Sequence, residues 1–108
     1  MIKKQYVKSR KVAKLTFTVA AKELPEGIDV KTLHLVGDFN DWNRAATPMK
    51  KSKGAFSTMI EVAPGATVQF RYLANDSVWF NDWEADEYLL GEEGEDNSVV
   101  TAPDAPAA

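Results

Sequence analysis

Arg71, Trp79, Asn81 and Trp83 fall within a single stretch of thirteen residues. Their types suit one kind of chemistry. An indole offers a flat apolar face, a pyranose ring offers a flat patch of C–H bonds to lie on it, and the sugar hydroxyls need planar donors and acceptors around the rim. Arg71 and Asn81 supply such groups. Tryptophans gathered on a surface usually meet a partner, sugar or protein, because large exposed apolar patches are uncommon on monomers.

Strand alternation decides whether these residues share a surface. With Asn75, Asp76 and Ser77 as a three-residue hairpin loop, Ala74 pairs with Val78, Leu73 with Trp79 and Arg71 with Asn81. Phe70, Tyr72, Ala74, Val78 and Phe80 then form one apolar side, and Arg71, Leu73, Trp79, Asn81 and Trp83 form the other. A two-residue loop would mix the two sets, so the pattern selects the longer loop. A second aromatic tip lies in VGDFNDW, residues 36–42, where Gly37, Asp38, Asn40 and Asp41 favour a turn, Phe39 plugs the core and Trp42 ends the loop. The tripeptide Asn-Asp-Trp recurs at Asn81 to Trp83, too short to be an internal repeat.

Other chemistries fit less well. Asp82, Glu84, Asp86 and Glu93 have the spacing of positions 1, 3, 5 and 12 of a calcium loop, but Glu87 stands where the sharp turn wants glycine and neither flank reads as a helix. DWEADEYLLGEEGED is rich in carboxylates. Glycoside hydrolysis also needs a cleft that holds an acid and a base at fixed separation, and a solvated acidic loop is the simpler reading. Ser57, Ser77 and Ser98 lack a base unless His34 reaches one, and His34 belongs on a strand's outer face. GEEGED carries the wrong charge to hold phosphate. The chain lacks cysteine, which removes thiolate chemistry and disulfides, and its single histidine removes multi-histidine metal centres. No cofactor is expected.

The elements that must position these groups are strands. VAKLTFTV, KTLHLVG, AFSTMIEV, TVQFRYLA, VWFNDW and NSVVT alternate apolar and polar residues between turns marked by Gly, Pro, Asn and Asp. Phe56, Thr58, Ile60 and Val62 share one face. Only AAKE and DEYLL suit a turn of helix. The expected fold is all-β, an antiparallel β-sandwich, and 108 residues make it one domain. Residues 1–10 read as a basic N-terminal segment, 11–101 as the domain and 102–108 as a disordered Ala/Pro tail.

Charge is unevenly spread. Residues 1–71 hold all 13 Lys and Arg with 6 acids, whereas 72–108 hold 10 acids and no base. The lysine-rich start could meet a phosphate backbone, but surface solubility accounts for it better, so neither nucleic acid nor a membrane is an expected partner. Apolar runs are short and the start lacks an apolar leader, which leads to a cytoplasmic expectation.

LHLVGDFNDW, GAFSTMIEVAPG, VQFRYLANDSVW and EDNSVV, in that order across residues 15–100, resemble carbohydrate-binding module family 48. That family includes the glycogen-binding domain of the AMP-activated protein kinase β subunit and the early-set domains that precede isoamylase and branching-enzyme barrels. The resemblance implies an immunoglobulin-like early-set sandwich that binds α-1,4-linked glucan (glycogen, starch or maltooligosaccharide) without cleaving it, so not an enzyme, and that serves a glycogen-metabolising enzyme. Trp42 and Trp79 match the family's two tryptophans, Arg71 falls at its lysine and Asn97 at its asparagine. A guanidinium fork in place of an ammonium alters the contact geometry. Glu93 and Glu95 stand where the family has a leucine and a threonine that contact cyclic glucan, unless a shifted loop brings Leu89, Leu90 or Tyr88 there. The expected carbohydrate site is therefore Trp42, Arg71, Trp79 and Asn97, extended by Asn81, Trp83 and Tyr88. The alternative is a protein-interaction or self-association domain that keeps the fold without the sugar, since Trp and Arg are also enriched at protein hot spots.

Overall fold

The computed structural model describes residues 2–91, 94 and 96–106. In chain order the strands are β1 (Ile2–Val7), β2 (Val12–Ala20), β3 (Leu33–Gly37), β4 (Lys50–Ser52), β5 (Ala55–Val62), β6 (Thr67–Ala74), β7 (Val78–Phe80), β8 (Glu87–Leu90) and β9 (Asp96–Thr101). They form two antiparallel sheets, one ordered β1-β2-β5-β4 and the other β3-β6-β9-β8, with β7 also paired to β6. Packed face to face, the sheets make the expected all-β sandwich.

Alternation builds the core directly. On β2, Ala13, Leu15, Phe17 and Val19 are buried, and they pair with Val62, Ile60, Thr58 and Phe56 of β5. On the other sheet, Leu33 and Leu35 of β3 lie opposite Ala74 and Tyr72 of β6, with Val68 and Phe70 on the same inward side. An edge-to-face contact joins the layers, Phe17 to Phe70 at 4.9 Å between ring centroids, and continues along β6 from Phe70 to Tyr72 at 5.6 Å. Each such pair contributes about 1 kcal/mol beyond simple burial.

One side of the sandwich is closed by the chain itself. Leu35 donates to the Thr47 carbonyl and Met49 to the Leu33 carbonyl, so residues 47–49 line the edge of β3 before β4 crosses to pair with β5. On the opposite side the edges are β1 and β8, linked by Lys4 and Asp86 at 2.6 Å.

Three elements differ from the sequence expectation. The basic start is not a separate segment, because Ile2 and Tyr6 fall opposite the inward Phe17 and Ala13 and make residues 2–7 the outer strand of a sheet. DEYLL forms strand β8 rather than helix, held in register by β9. The tail is pinned as far as Pro103: Ala102 is buried, its N–H donates to the Ala66 carbonyl, and Gly65 N–H donates to the Pro103 carbonyl. AAKE does make a single 3₁₀ turn at Ala21–Glu23.

Candidate functional site

The hairpin register has the expected geometry. Ala74 pairs with Val78, Leu73 with Trp79 and Tyr72 with Phe80, and the Ser77 N–H donates to the Ala74 carbonyl across the loop. Arg71, Leu73 and Trp79 consequently share the side of the second sheet that faces away from the core, although Leu73, like Val36 and Val99 on that side, is fully covered there. The pairing of β6 with β9 brings Asn97 onto that face beside Arg71.

A chain of hydrogen bonds fixes these polar groups. Arg71 Nε donates to Asn97 Oδ1 at 2.6 Å, and Asn97 Nδ2 donates to Gln69 Oε1 at 3.2 Å. Asn97 is 6% exposed with both ends of its amide engaged, so it holds the guanidinium in place as much as it faces a ligand. Gln69 is an addition that alternation makes readable in hindsight, since it stands two residues before Arg71 on the same strand. Leu89 lies directly opposite Asn97 on β8 and is 40% exposed, which puts an apolar side chain on this face beside the polar row.

Trp42 enters from the turn after β3. A 3₁₀ turn at Asp38–Asn40 is followed by Asp41 and Trp42, both in the left-handed region with φ of 57° and 58°. Asp tolerates that conformation; a bulky aromatic is strained there by about 1 kcal/mol. Asn40 holds the turn shut, accepting from Gly37 N–H and donating to the Leu35 carbonyl and to Thr47 Oγ1. Gly37 is itself extended, not bent as the sequence suggested. A Cβ there would overlap the Gln69 carbonyl oxygen and come within 2.7 Å of the Phe39 ring, so glycine is needed for close approach. Phe39 packs against the core as expected.

Two residues past Trp42, Arg44 reaches back to the hairpin. Its guanidinium lies 5.5 Å from the Trp79 ring centroid, and Nη2 donates to the Asp76 carbonyl. No pattern in the sequence singles out Arg44, because the contact joins a loop to a strand 35 residues away. It ties the Trp42 loop to the Trp79 hairpin and lays a cation on the indole, a contact worth about 0.5–1 kcal/mol where water has access.

Asn81, Trp83 and Tyr88 do not join this face. Strand β7 ends at Phe80, and Asp82, 4% exposed, turns inward to accept from Tyr72 Oη at 2.5 Å and from Glu84 N–H at 2.7 Å. Alternation therefore stops before it reaches Trp83. Asn81 is spent on structure, donating to the Asp96 carbonyl and accepting from Ser98 Oγ. Trp83, 67% exposed, borders a separate groove of about 400 Å³ with Phe80, Leu24 and Pro25, rimmed by Glu23 and Glu26. Tyr88 pairs with the inward-facing Ser98, and its hydroxyl donates to the Asp82 carbonyl. Burial, then the Asp82 carboxylate, push the Tyr72 phenol far above its usual range, so it remains a hydrogen-bond donor.

The carboxylates of the calcium-like spacing are directed elsewhere: Asp82 to Tyr72 and Asp86 to Lys4 and the Thr101 N–H. Glu93 and Glu95 lie outside the described residues. Among the described residues, no group of three or more His, Asp or Glu side chains is placed to hold a metal ion, and no helix is long and apolar enough to cross a membrane.

No family model and no curated protein matches the chain. Among solved structures it is similar to ferric enterobactin esterase (fes) from Salmonella typhimurium, with a TM-score of 0.72 at 9% identity over 98% of this chain. The chain spans about a third of that protein, 35% of its length. At that identity the likeness is one of fold.

Proposed function

We propose that the chain is a non-catalytic binding module for α-1,4-linked glucan that uses the outer face of its second sheet. The observation that carries this reading is the polar row Gln69, Asn97 and Arg71, hydrogen-bonded in sequence and flanked by Trp79 and the exposed Leu89. Fixed planar amides and a guanidinium match vicinal hydroxyls, while the indole and leucine match the apolar face of a glucose ring. Trp42 adds support as an aromatic left 38% exposed on a turn that is itself fixed, its N–H donating to the Gly37 carbonyl at 2.8 Å. The ordered motifs that resemble carbohydrate-binding module family 48 point to the same ligand class and to service of a glycogen-metabolising enzyme.

The esterase activity for which the structural neighbour is named gains no support from the described residues. Ser98 Oγ donates to Asn81 Oδ1 and accepts from the Asp82 N–H on the inner side of the sheet, while His34 stands opposite Leu73 on the other side, so these two form no nucleophile and base pair.

A shallow face that encloses little of a flexible glucan binds on the order of micromolar to millimolar. Retention on immobilised glycogen tests the reading. Trp79→Ala loses most of the retention while keeping a dispersed NMR spectrum; a variant that stays folded and is retained like the parent rejects Trp79 as part of the site.

A further inference from the structure

The groove beside Trp83 differs in composition from the face that carries Arg71. Leu24, Pro25 and Phe80 form its apolar wall with the Trp83 indole, and Glu23 and Glu26 are its only charged lining residues among those described. It lies between the turn after β2 and the corner after β7. Those two segments, residues 21–29 and 80–87, carry seven acids against one base, Lys22. Trp83 is 67% exposed there. Apolar surface gathered around an open indole is the kind of patch that meets a partner.

We propose that this groove docks an arginine side chain presented by a partner protein. Donor balance selects a cation over a sugar. A polyol needs donors as well as acceptors, whereas a guanidinium only donates. The groove supplies carboxylates, and the Asn81 amide on its wall is engaged at both ends, donating to the Asp96 carbonyl and accepting from Ser98 Oγ. The indole N–H is the remaining side-chain donor. Shape selects arginine over lysine, because a planar guanidinium stacks on an indole while forking to a carboxylate, and a compact, strongly hydrated ammonium does neither as well. Glu26, exposed on the rim, and Trp83 make those two contacts, and Leu24 and Pro25 receive the methylene stem.

A second copy of the chain is a poor source of that side chain. Its three arginines are all committed: Arg10 to Glu61, Arg44 to the Trp79 ring and the Asp76 carbonyl, and Arg71 to Asn97. Its lysine-rich start is built into β1, β2 and the turn between them. The groove shares no lining residue with the row Gln69, Asn97 and Arg71, so docking there does not depend on glucan binding.

Heteronuclear NMR of the full chain with the blocked pentapeptide acetyl-Gly-Leu-Arg-Leu-Gly-amide, taken to about 10 mM, reaches the weak affinity that one anchoring side chain supports. The Trp83 indole N–H shifts saturably, the Trp42 and Trp79 signals stay in place, and added salt weakens binding. Citrulline in place of arginine keeps the shape without the charge and weakens binding by about fivefold or more, and lysine there weakens it as well. Glu26 is the acid to vary, since Glu23 also accepts from the Ala20 N–H and holds its turn. Glu26→Gln lowers the affinity about threefold with the spectrum still dispersed. In a folded Trp83→Ala variant the Leu24 and Glu26 backbone amides, which shift in the parent, no longer respond. A Trp83 signal that ignores the arginine peptide, or answers the citrulline or lysine peptide as strongly, overturns the proposal. So does a Trp83 signal that moves with maltoheptaose in preference to the peptide, which would make the groove a sugar site.

Discussion

The chain uses Asn-Asp-Trp twice, at residues 40–42 and 81–83, and treats the two copies differently. Both asparagines do the same work, closing a turn with their amides: Asn40 across β3 and Thr47, Asn81 across Asp96 and Ser98. The aspartates part company. Asp41 stands in water in a left-handed turn, whereas Asp82 is buried against Tyr72 and anchors the corner after β7. Both tryptophans end up exposed, yet only Trp42 sits on a loop tied through Arg44 to the polar row's face, while Trp83 borders the groove beside Leu24 and Pro25. Residue type therefore set what each side chain could do, and the strand ending at Phe80 or Gly37 set what it did.

The sharpest way to break this contrast is to remove each aspartate. Asp82→Ala strands the Tyr72 hydroxyl in the core and is expected to lower unfolding free energy by about 3 kcal/mol. Asp41→Ala, in contrast, should change it by about 0.5 kcal/mol or less. Urea denaturation of the two variants compares them, and equal losses would abolish the distinction. A smaller effect sharpens the tryptophan half of the comparison. Trp42→Gly relieves the left-handed strain and should raise the unfolding free energy by up to about 1 kcal/mol while weakening glucan retention. Trp83→Ala should leave retention at the parental level.

The smallest effect concerns the outer edges. Hydrogen bonding from Lys4, then from the Thr101 N–H, holds the Asp86 carboxyl below its ordinary value of 3.8. A carboxyl depressed in the folded state stabilises above its unfolded pKa, and that contribution disappears as the pH falls through the folded value. With both partners over a third exposed, solvent screening limits it to a few tenths of a kcal/mol. Acid titration of Lys4→Met against the parent, followed by thermal melts, should show a slightly shallower loss of stability below about pH 4 for the variant.

Much of the fold was legible because alternation is a local signal. AFSTMIEV and TVQFRYLA coincide with β5 and β6, and the three-residue loop at 75–77 follows from keeping Tyr72 and Phe80 on one side. Arg71, Trp79 and Asn97 were placed together by that logic and by the family resemblance. What alternation could not carry was the end of a strand. Nothing in VWFNDW says that Asp82 will prefer the buried phenol of Tyr72, ten residues back, to solvent, and that preference moves Trp83 off the face. β1 was hidden for a related reason: in IKKQYV the inward position between Ile2 and Tyr6 is Lys4, a charge that makes sense only once Asp86 stands across from it. Arg44 was hidden by its distance in sequence from Trp79.

Heteronuclear NMR titration with maltoheptaose, following the three indole N–H signals, tests the proposed glucan face most directly. Shifts at Trp79 and Trp42, together with the Arg71 and Asn97 side chains, and a still signal at Trp83, are the predicted result. A shift confined to Trp83, or a dispersed spectrum that sugar leaves unmoved, would contradict it.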